Sequence, residues 1–313
     1  MNTNQFFQKY MIYFVLVMLV VYFGFASPVF LSEQNLFNIL RQVTVFGIAA
    51  VGMTMVMLTG GIDLSVGSII GVTGIVVAKA MVAGVDPLAA IGLALVAGMS
   101  MGLFNAFIIN QFRVPPLIAT LGMMISLRGL AYSITNGLPV YGFPESFTVW
   151  GQGYIWIIPV PVLILAIVFV IGWVVLNRLT IGRYIYGIGG NEEASRLCGI
   201  NVRRIKYFVY GFSGALCGVA GTILLSRTNS GQPKAGTSYE MDIITAVVLG
   251  GVSIAGGQGK LTGVLAGVLI MGVLANGMII TNVGDYVQRM IQGMVLVIAV
   301  AIDSYSHYKK TKS

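Results

Sequence analysis

The chain has 313 residues, 57% of them hydrophobic and only 9% charged, with a net charge of +8 and a mean hydropathy of +0.90. A soluble domain carries roughly 25% charged residues, so this chain cannot clothe a water-facing surface and a soluble globular fold is excluded. The positive balance lacks the interleaved basic and aromatic residues of a nucleic-acid surface, so nucleic acid is excluded as a partner and the charge suits orientation in a membrane.

A helical span needs about 20 mainly apolar residues. Ten apolar segments near that length follow one another, at 10–26, 36–59, 64–83, 87–110, 116–135, 156–177, 207–226, 239–256, 261–281 and 286–304. They predict an all-α fold, a polytopic membrane helix bundle of about ten transmembrane helices, with 1–313 as a single transmembrane domain. A barrel would instead show shorter strands of alternating hydrophobicity. The first segment follows Lys9, but Phe25-Ala26-Ser27-Pro28 is a poor cleavage site, so it reads as a retained helix rather than a signal peptide. The 41 glycines suit helices that pack closely in lipid.

After the second segment, Gly60 and Gly61 followed by Asp63 and Ser65 read as a helix break and restart. Asp63 either caps the next helix through its N2 and N3 amides at the membrane surface or lies on a translocation path. Irregular backbone at membrane depth is tolerated only beside protein or a water-filled cavity. Further polar residues inside spans are Arg41, Gln42, Asn105, Asn110, Arg128, Asn276, Gln288, Arg289 and Gln292. Such residues are costly in lipid and default to functional hypotheses, and Arg128 and Arg289 are expected to meet carboxylates or carbonyls in the bundle. Glu240 and Asp242 head the eighth segment, where a helix N-terminus favours anions. Only Asp63 is a carboxylate near the depth a proton or sodium relay needs, which argues against an ion-coupled carrier. The segment 136–156, rich in Gly, Pro and aromatics, reads as an interfacial element or as a surface that receives an extracytoplasmic partner. Gly60, Gly61, Gly67 and Gly71 recur as Gly256, Gly257, Gly263 and Gly267, so both breaks call for permissive, closely packed backbone.

Of the 18 Lys and Arg residues, 12 fall on one side if the N-terminus is cytoplasmic, and only Arg227 and Lys234 fall in loops on the other. Both termini are therefore expected in the cytoplasm, in a multi-pass protein of the cytoplasmic membrane. Six of those cations (Arg178, Arg183, Arg196, Arg203, Arg204 and Lys206) lie in one loop at about 178–206. That loop is more ordered than a charge cluster requires. Asn191 is a good N-cap, Glu192 and Glu193 suit the first turn, and Gly199 ends it, which predicts a short helix over 192–198. Asn201 then caps the following span. A docking helix for a cytoplasmic engine is the functional reading of this pattern.

No catalytic constellation accompanies it. Cys198 and Cys217 have no metal-ligand spacing, and the one histidine, His307, lies in the tail, so neither a metal site nor a cofactor is expected. The run Gly256-Gly257-Gln258-Gly259-Lys260 has the wrong spacing for a phosphate loop. The chain is therefore not expected to be an enzyme or to hydrolyse nucleotide itself.

The run Arg183 to Lys206, with Gly-Gly-Asn-Glu-Glu-Ala-Ser-Arg-Leu-Cys-Gly-Ile at its centre, resembles the coupling loop of the ribose-type sugar permeases of bacterial ATP-binding-cassette importers, within the branched-chain amino acid/sugar permease family. Thr59 to Ser68 and Ala246 to Gly259 resemble two further signatures of that family, in the same order, and the resemblance runs nearly end to end. Ser195 and Cys198 depart slightly, standing where Ala and Ser are usual. The resemblance implies a pore of two permease copies or paralogues in membrane lipid, a separate cytoplasmic ATPase, and an extracytoplasmic sugar-binding protein that delivers a monosaccharide such as ribose. It implies coupling to the ATPase through Asn191, Glu192, Glu193, Arg196 and Gly199, and a path near Gly60, Gly61, Asp63 and Ser65, with Asn105 and Asn276. A permease for a branched-chain amino acid or another small polar solute, and an ion-coupled secondary carrier, are the alternatives.

Overall fold

The computed structural model describes the backbone of residues 3–312 and the side chains of residues 11–305. His307 and the terminal lysines fall outside the described side chains. In chain order the helices are α1 (Thr3–Ala26), α2 (Glu33–Leu58), α3 (Val66–Val82), α4 (Pro87–Gln111), α5 (Pro116–Thr135), α6 (Val149–Gln152), α7 (Val160–Asn177), α8 (Thr180–Gly190), α9 (Glu192–Leu197), α10 (Val202–Thr228), α11 (Tyr239–Leu249), α12 (Leu261–Ile280) and α13 (Asp285–Lys312). A tight turn at Glu145–Thr148 and an antiparallel pair, β1 (Tyr154–Ile155) with β2 (Ile158–Pro159), complete the described elements. The fold is an all-α polytopic bundle.

Each of the ten apolar segments forms a helix. Seven are long and apolar enough to cross a membrane: α2, α4, α5, α7, α10, α12 and the Asp285–Tyr305 part of α13. The apolar stretch Met11–Ala26 of α1 and the whole of α3 are shorter. The segment expected at 239–256 stops early: α11 has 11 residues, about 16 Å of helix against a hydrocarbon core of about 30 Å. Gly250 and Gly251 end it, the latter at φ +81°, where a Cβ would be strained. Helix α8 was not anticipated, and it turns 11 residues of the basic loop expected at about 178–206 into helix.

Helix α2 is the axis of the bundle. From Val43 to Leu58 every residue is buried, on all faces of the helix, as expected of a helix that is apolar all round. Ser32 starts it, accepting a hydrogen bond from the Asn35 amide (3.4 Å). Helices α10 and α12 pack on it and are themselves largely buried. Helices α4, α5 and α13 form the lipid-facing shell, with 22%, 22% and 6% of their apolar windows buried.

The tightest seam joins α4 to α10. On α4 the buried residues Ala90, Ala94, Gly98, Gly102, Asn105, Ala106 and Ile109 make one narrow stripe. Gly98 faces Gly214 backbone to backbone, Gly102 faces the Tyr210 carbonyl, and Gly218 faces the Ala94 carbonyl. A methyl group at any of the three would overlap main-chain atoms that cannot rotate away.

The 136–156 segment is folded against the outer ends of the helices. Phe147 is fully buried, and its carbonyl accepts from Ser226 Oγ (2.7 Å). Gln152 Nε2 donates to the Arg227 carbonyl (3.1 Å), and its own carbonyl accepts from Arg41 (3.1 Å). Arg128 donates to the carbonyls of Pro233 (3.1 Å) and Ala235 (2.6 Å), the kind of partner anticipated for it. The hairpin tip stands free, with Trp156 96% exposed, as do Leu138 and Tyr141.

Gly98→Val is expected to destabilise the fold by about 1–3 kcal/mol through overpacking, and to lower the melting temperature in detergent. Gly92→Ala, whose added methyl meets open space, is the control. Equal melting of the two variants would contradict the backbone-contact account.

Candidate functional site

The basic loop is built around caps. Asn191 Oδ1 accepts from the Ala194 amide (2.9 Å) and starts α9, and Asn201 Oδ1 accepts from the Arg204 amide (3.1 Å) and starts α10. Gly199, at φ +82°, makes the turn between them. Glu192 and Glu193 occupy the first turn of α9, where the helix dipole favours their charge. Glu192 is also held twice: one oxygen meets Arg196 (2.9 Å) on the same helix, the other Lys206 (2.8 Å) on α10. The carboxylate thus fixes the angle between α9 and α10. Ser195 is buried beneath α9 while Leu197 is 84% exposed, a leucine held out into water on a capped helix. Leu197 and the clasp by Lys206 were not anticipated from sequence; an isolated Leu in a polar loop gives no signal of which way it points.

The break after α2 lies under this loop. Gly60, at φ +77°, turns the chain, and α3 does not restart until Val66. Asp63 does not cap α3. Its Oδ1 accepts from the amide (2.9 Å) and hydroxyl (2.6 Å) of Ser65, an Asx turn set before the helix, and the Asp63 side chain is fully buried rather than at a surface. Ser65 Oγ accepts from Asn105 Nδ2 on α4 (2.8 Å), and Thr120 Oγ1 on α5 accepts from the Leu64 amide (3.1 Å). Broken backbone at this depth is therefore served by side chains of two neighbouring helices. The network leaves Asp63 Oδ2, Asn105 Oδ1, Tyr210 Oη and Ser213 Oγ buried without a hydrogen-bonding partner. An alanine at Gly61 would bring its methyl to 2.6 Å from the Tyr210 hydroxyl. Tyr210 and Ser213 were missed in sequence because both sit mid-helix among apolar residues.

Loop and break touch directly. The Gly257 amide donates to the Leu58 carbonyl at the end of α2 (3.0 Å). Gly256 packs on Gly60, and Gly189 of α8 packs on both the Leu58 carbonyl and the Gly257 amide. Tyr186 of α8 also donates to the Gly259 carbonyl (3.0 Å). The two similar glycine pairs in the sequence are thus in contact, with α8 laid across them. Gly60, Gly61, Asp63, Ser65 and Asn105 are brought together. Asn276 is not: it lies toward the other end of the bundle, exchanging two 2.9 Å hydrogen bonds with Asn35.

A polytopic helical bundle with a polar break between α2 and α3 and a capped polar loop is the architecture a membrane transport protein needs. This chain belongs to the permease family described as branched-chain amino acid transport system / permease component, whose model matches residues 35–300. It is 46% identical over 293 residues to the ribose import permease protein RbsC of Escherichia coli (strain K12), covering 92% of this chain and 91% of that protein. It is 45% identical over 290 residues to RbsC of Bacillus subtilis (strain 168), covering 92% and 90%. Identity to the D-allose transport system permease protein AlsC of Escherichia coli (strain K12) is 37% over 305 residues, covering 96% and 93%. No solved structure matches the chain.

Glu192→Gln is expected to free α9 from α10 while leaving the cap intact. Surface ion pairs are worth about 0.2–1 kcal/mol each, so with both lost, amide exchange in α9 should quicken roughly two- to thirtyfold. Hydrogen-exchange mass spectrometry reads this directly, and unchanged α9 rates would show that the two ion pairs hold nothing.

Proposed function

We propose that this chain is the permease subunit of an ATP-binding-cassette importer that moves a monosaccharide, ribose first among candidates, inward across the cytoplasmic membrane. The observation that carries the reading is near full-length identity of 46% to a ribose import permease, set against 37% to an allose permease. Residues 1–313 act as one permease domain, with a coupling segment at about 178–206. The chain has two copies, or a paralogue beside it, in the pore. A separate cytoplasmic ATPase supplies the energy, and an extracytoplasmic binding protein supplies the sugar.

In this reading α9 is the contact with the ATPase. Asn191 and Gly199 set its ends, Glu192 and Arg196 hold its pitch, and Glu193 with the exposed Leu197 meets the partner. Movement of α9 passes to α8 through their junction at Asn191. From there it reaches Leu58 and Gly257 through Gly189, because main-chain atoms in direct contact have no side chain to absorb the shift. The break at Gly60 and Gly61 then moves, and with it the inner end of the path at Asp63, Ser65 and Asn105. Buried polar atoms without protein partners suit a place that water and sugar hydroxyls visit. Asn276 belongs to the outer end, where its pair with Asn35 would have to part.

The test is uptake of labelled ribose by vesicles that contain the chain with its ATPase and binding protein. Glu192→Lys combined with Arg196→Glu keeps a pair within α9 but sets the introduced lysine against Lys206 and reverses the charges α9 presents, and should abolish ATPase association and uptake together. Retained association and uptake would overturn the assignment of α9. Gly189→Val is expected to keep ATPase association yet cut uptake about tenfold or more, since about 1.4 kcal/mol of lost coupling is already tenfold.

A further inference from the structure

Beside α9 a cavity of about 670 Å³ opens among the inner ends of α4, α5 and α10. Its lining includes Arg113, Arg196, Arg203 and Lys206 against one carboxylate, Glu192. Arg196 and Lys206 already spend their charge on Glu192. Arg113 and Arg203 do not: among the described residues neither forms an ion pair with a carboxylate, and both side chains are exposed. Arg113 holds the turn between α4 and α5 at φ +56°, a left-handed conformation that glycine or asparagine would adopt with less strain.

The cavity is not purely polar. Immediately up α4, Phe107 lies one turn from the cavity residue Asn110, stacked with Phe104 (6.3 Å between centroids) and edge-on to Phe112 (5.7 Å). These three rings are 40%, 52% and 66% exposed. A cationic cavity on the Lys/Arg-rich side of the membrane therefore lies at the end of a helix that carries exposed aromatic rings, Phe112 being the chain neighbour of Arg113.

We propose that the cavity is a binding site for an anionic phospholipid of the cytoplasmic leaflet. Its phosphate pairs with Arg113 and Arg203, and its acyl chains lie on Phe104, Phe107 and Phe112. Guanidinium groups suit a phosphodiester, which they can bond with two parallel N–H donors, and basic pockets between spans on this side of a membrane are suited to anionic headgroups. A water-soluble acidic partner would satisfy the arginines and leave the rings bare; a zwitterionic lipid would do the reverse. The proposal does not depend on α9 being an ATPase contact.

The experiment is native mass spectrometry of the full-length chain, titrated with phosphatidylglycerol or with phosphatidylcholine of the same acyl chains. Phosphatidylglycerol is expected to bind about tenfold more tightly, a preference that Arg113→Gln with Arg203→Gln removes, in line with the contribution of two cations at a membrane surface. Arg178→Gln, a cytoplasmic cation outside the cavity, should keep it. Melting in phosphatidylcholine alone checks that the variants are folded; if the double variant is not, Arg113→Gln by itself must lower the preference at least about threefold. Equal binding of the two lipids, or a preference that survives the variants, would overturn the proposal. So would displacement of the lipid by millimolar inorganic phosphate, which would mark a free-anion site. Loss of ATPase association in the arginine variants without any lipid preference in the parent chain would make the cavity a protein seat instead.

Discussion

Helices in a bilayer have no hydrophobic reason to prefer each other over lipid tails, so this bundle depends on how closely their backbones approach. The seam between α4 and α10 shows the constraint most plainly. Gly98, Gly102, Gly214 and Gly218 remove side chains at the points of closest contact, and carbonyl oxygens there face the opposing main chain. Dispersion at such contacts is small per atom pair but summed over the length of two helices. Helix α4 can therefore expose most of its surface to lipid and still be anchored by one narrow stripe.

The same device is used at the inner end for a different purpose. Whereas α4 and α10 run alongside each other, Gly189, Gly256, Gly257 and Gly60 meet at a point. Three chain segments that are far apart in sequence converge there: the end of α2, the turn before α12, and α8 from the basic loop. Asp303 on α13 adds a fourth, accepting from Ser253 Oγ and the Ile254 amide, both at 3.2 Å. These contacts tie α8 to all of them through main chain and hydrogen bonds.

What could be read from sequence divides by the range of the interaction. Caps are local, so Asn191, Asn201 and Gly199 were legible, and the helix they bound ends within a residue of expectation. Hydropathy over a window is also local, and each of the ten apolar segments is helical. Span length was less legible for α11, because Gly250 and Gly251 read as two more small residues in an apolar run until a φ of +81° marks the end. Of the two readings of Asp63, the N-cap fails for a related reason: Asp before Leu, Ser and Val suits an N-cap, but Ser65 takes its oxygen first. The meeting of Gly60 with Gly256, and the presence of Tyr210 beside Gly61, are long-range facts that no local pattern encodes.

The unpartnered atoms around Asp63 complete the physical picture of the inner end. A buried donor or acceptor left unsatisfied costs about 1–3 kcal/mol, and four such atoms surround one Asx turn and its neighbours on α4 and α10. Filling that space with apolar side chains would remove the cost, yet the residues there are Asp, Asn, Tyr and Ser. The turn itself is held by only three helices, through Ser65, Asn105 and Thr120. Water admitted at the break would satisfy the four atoms while leaving the contacts of Gly98 with Gly214 and of Gly218 with Ala94, farther along α4, in place. The bundle is thus closely packed where its helices touch through glycine and polar where α2 ends.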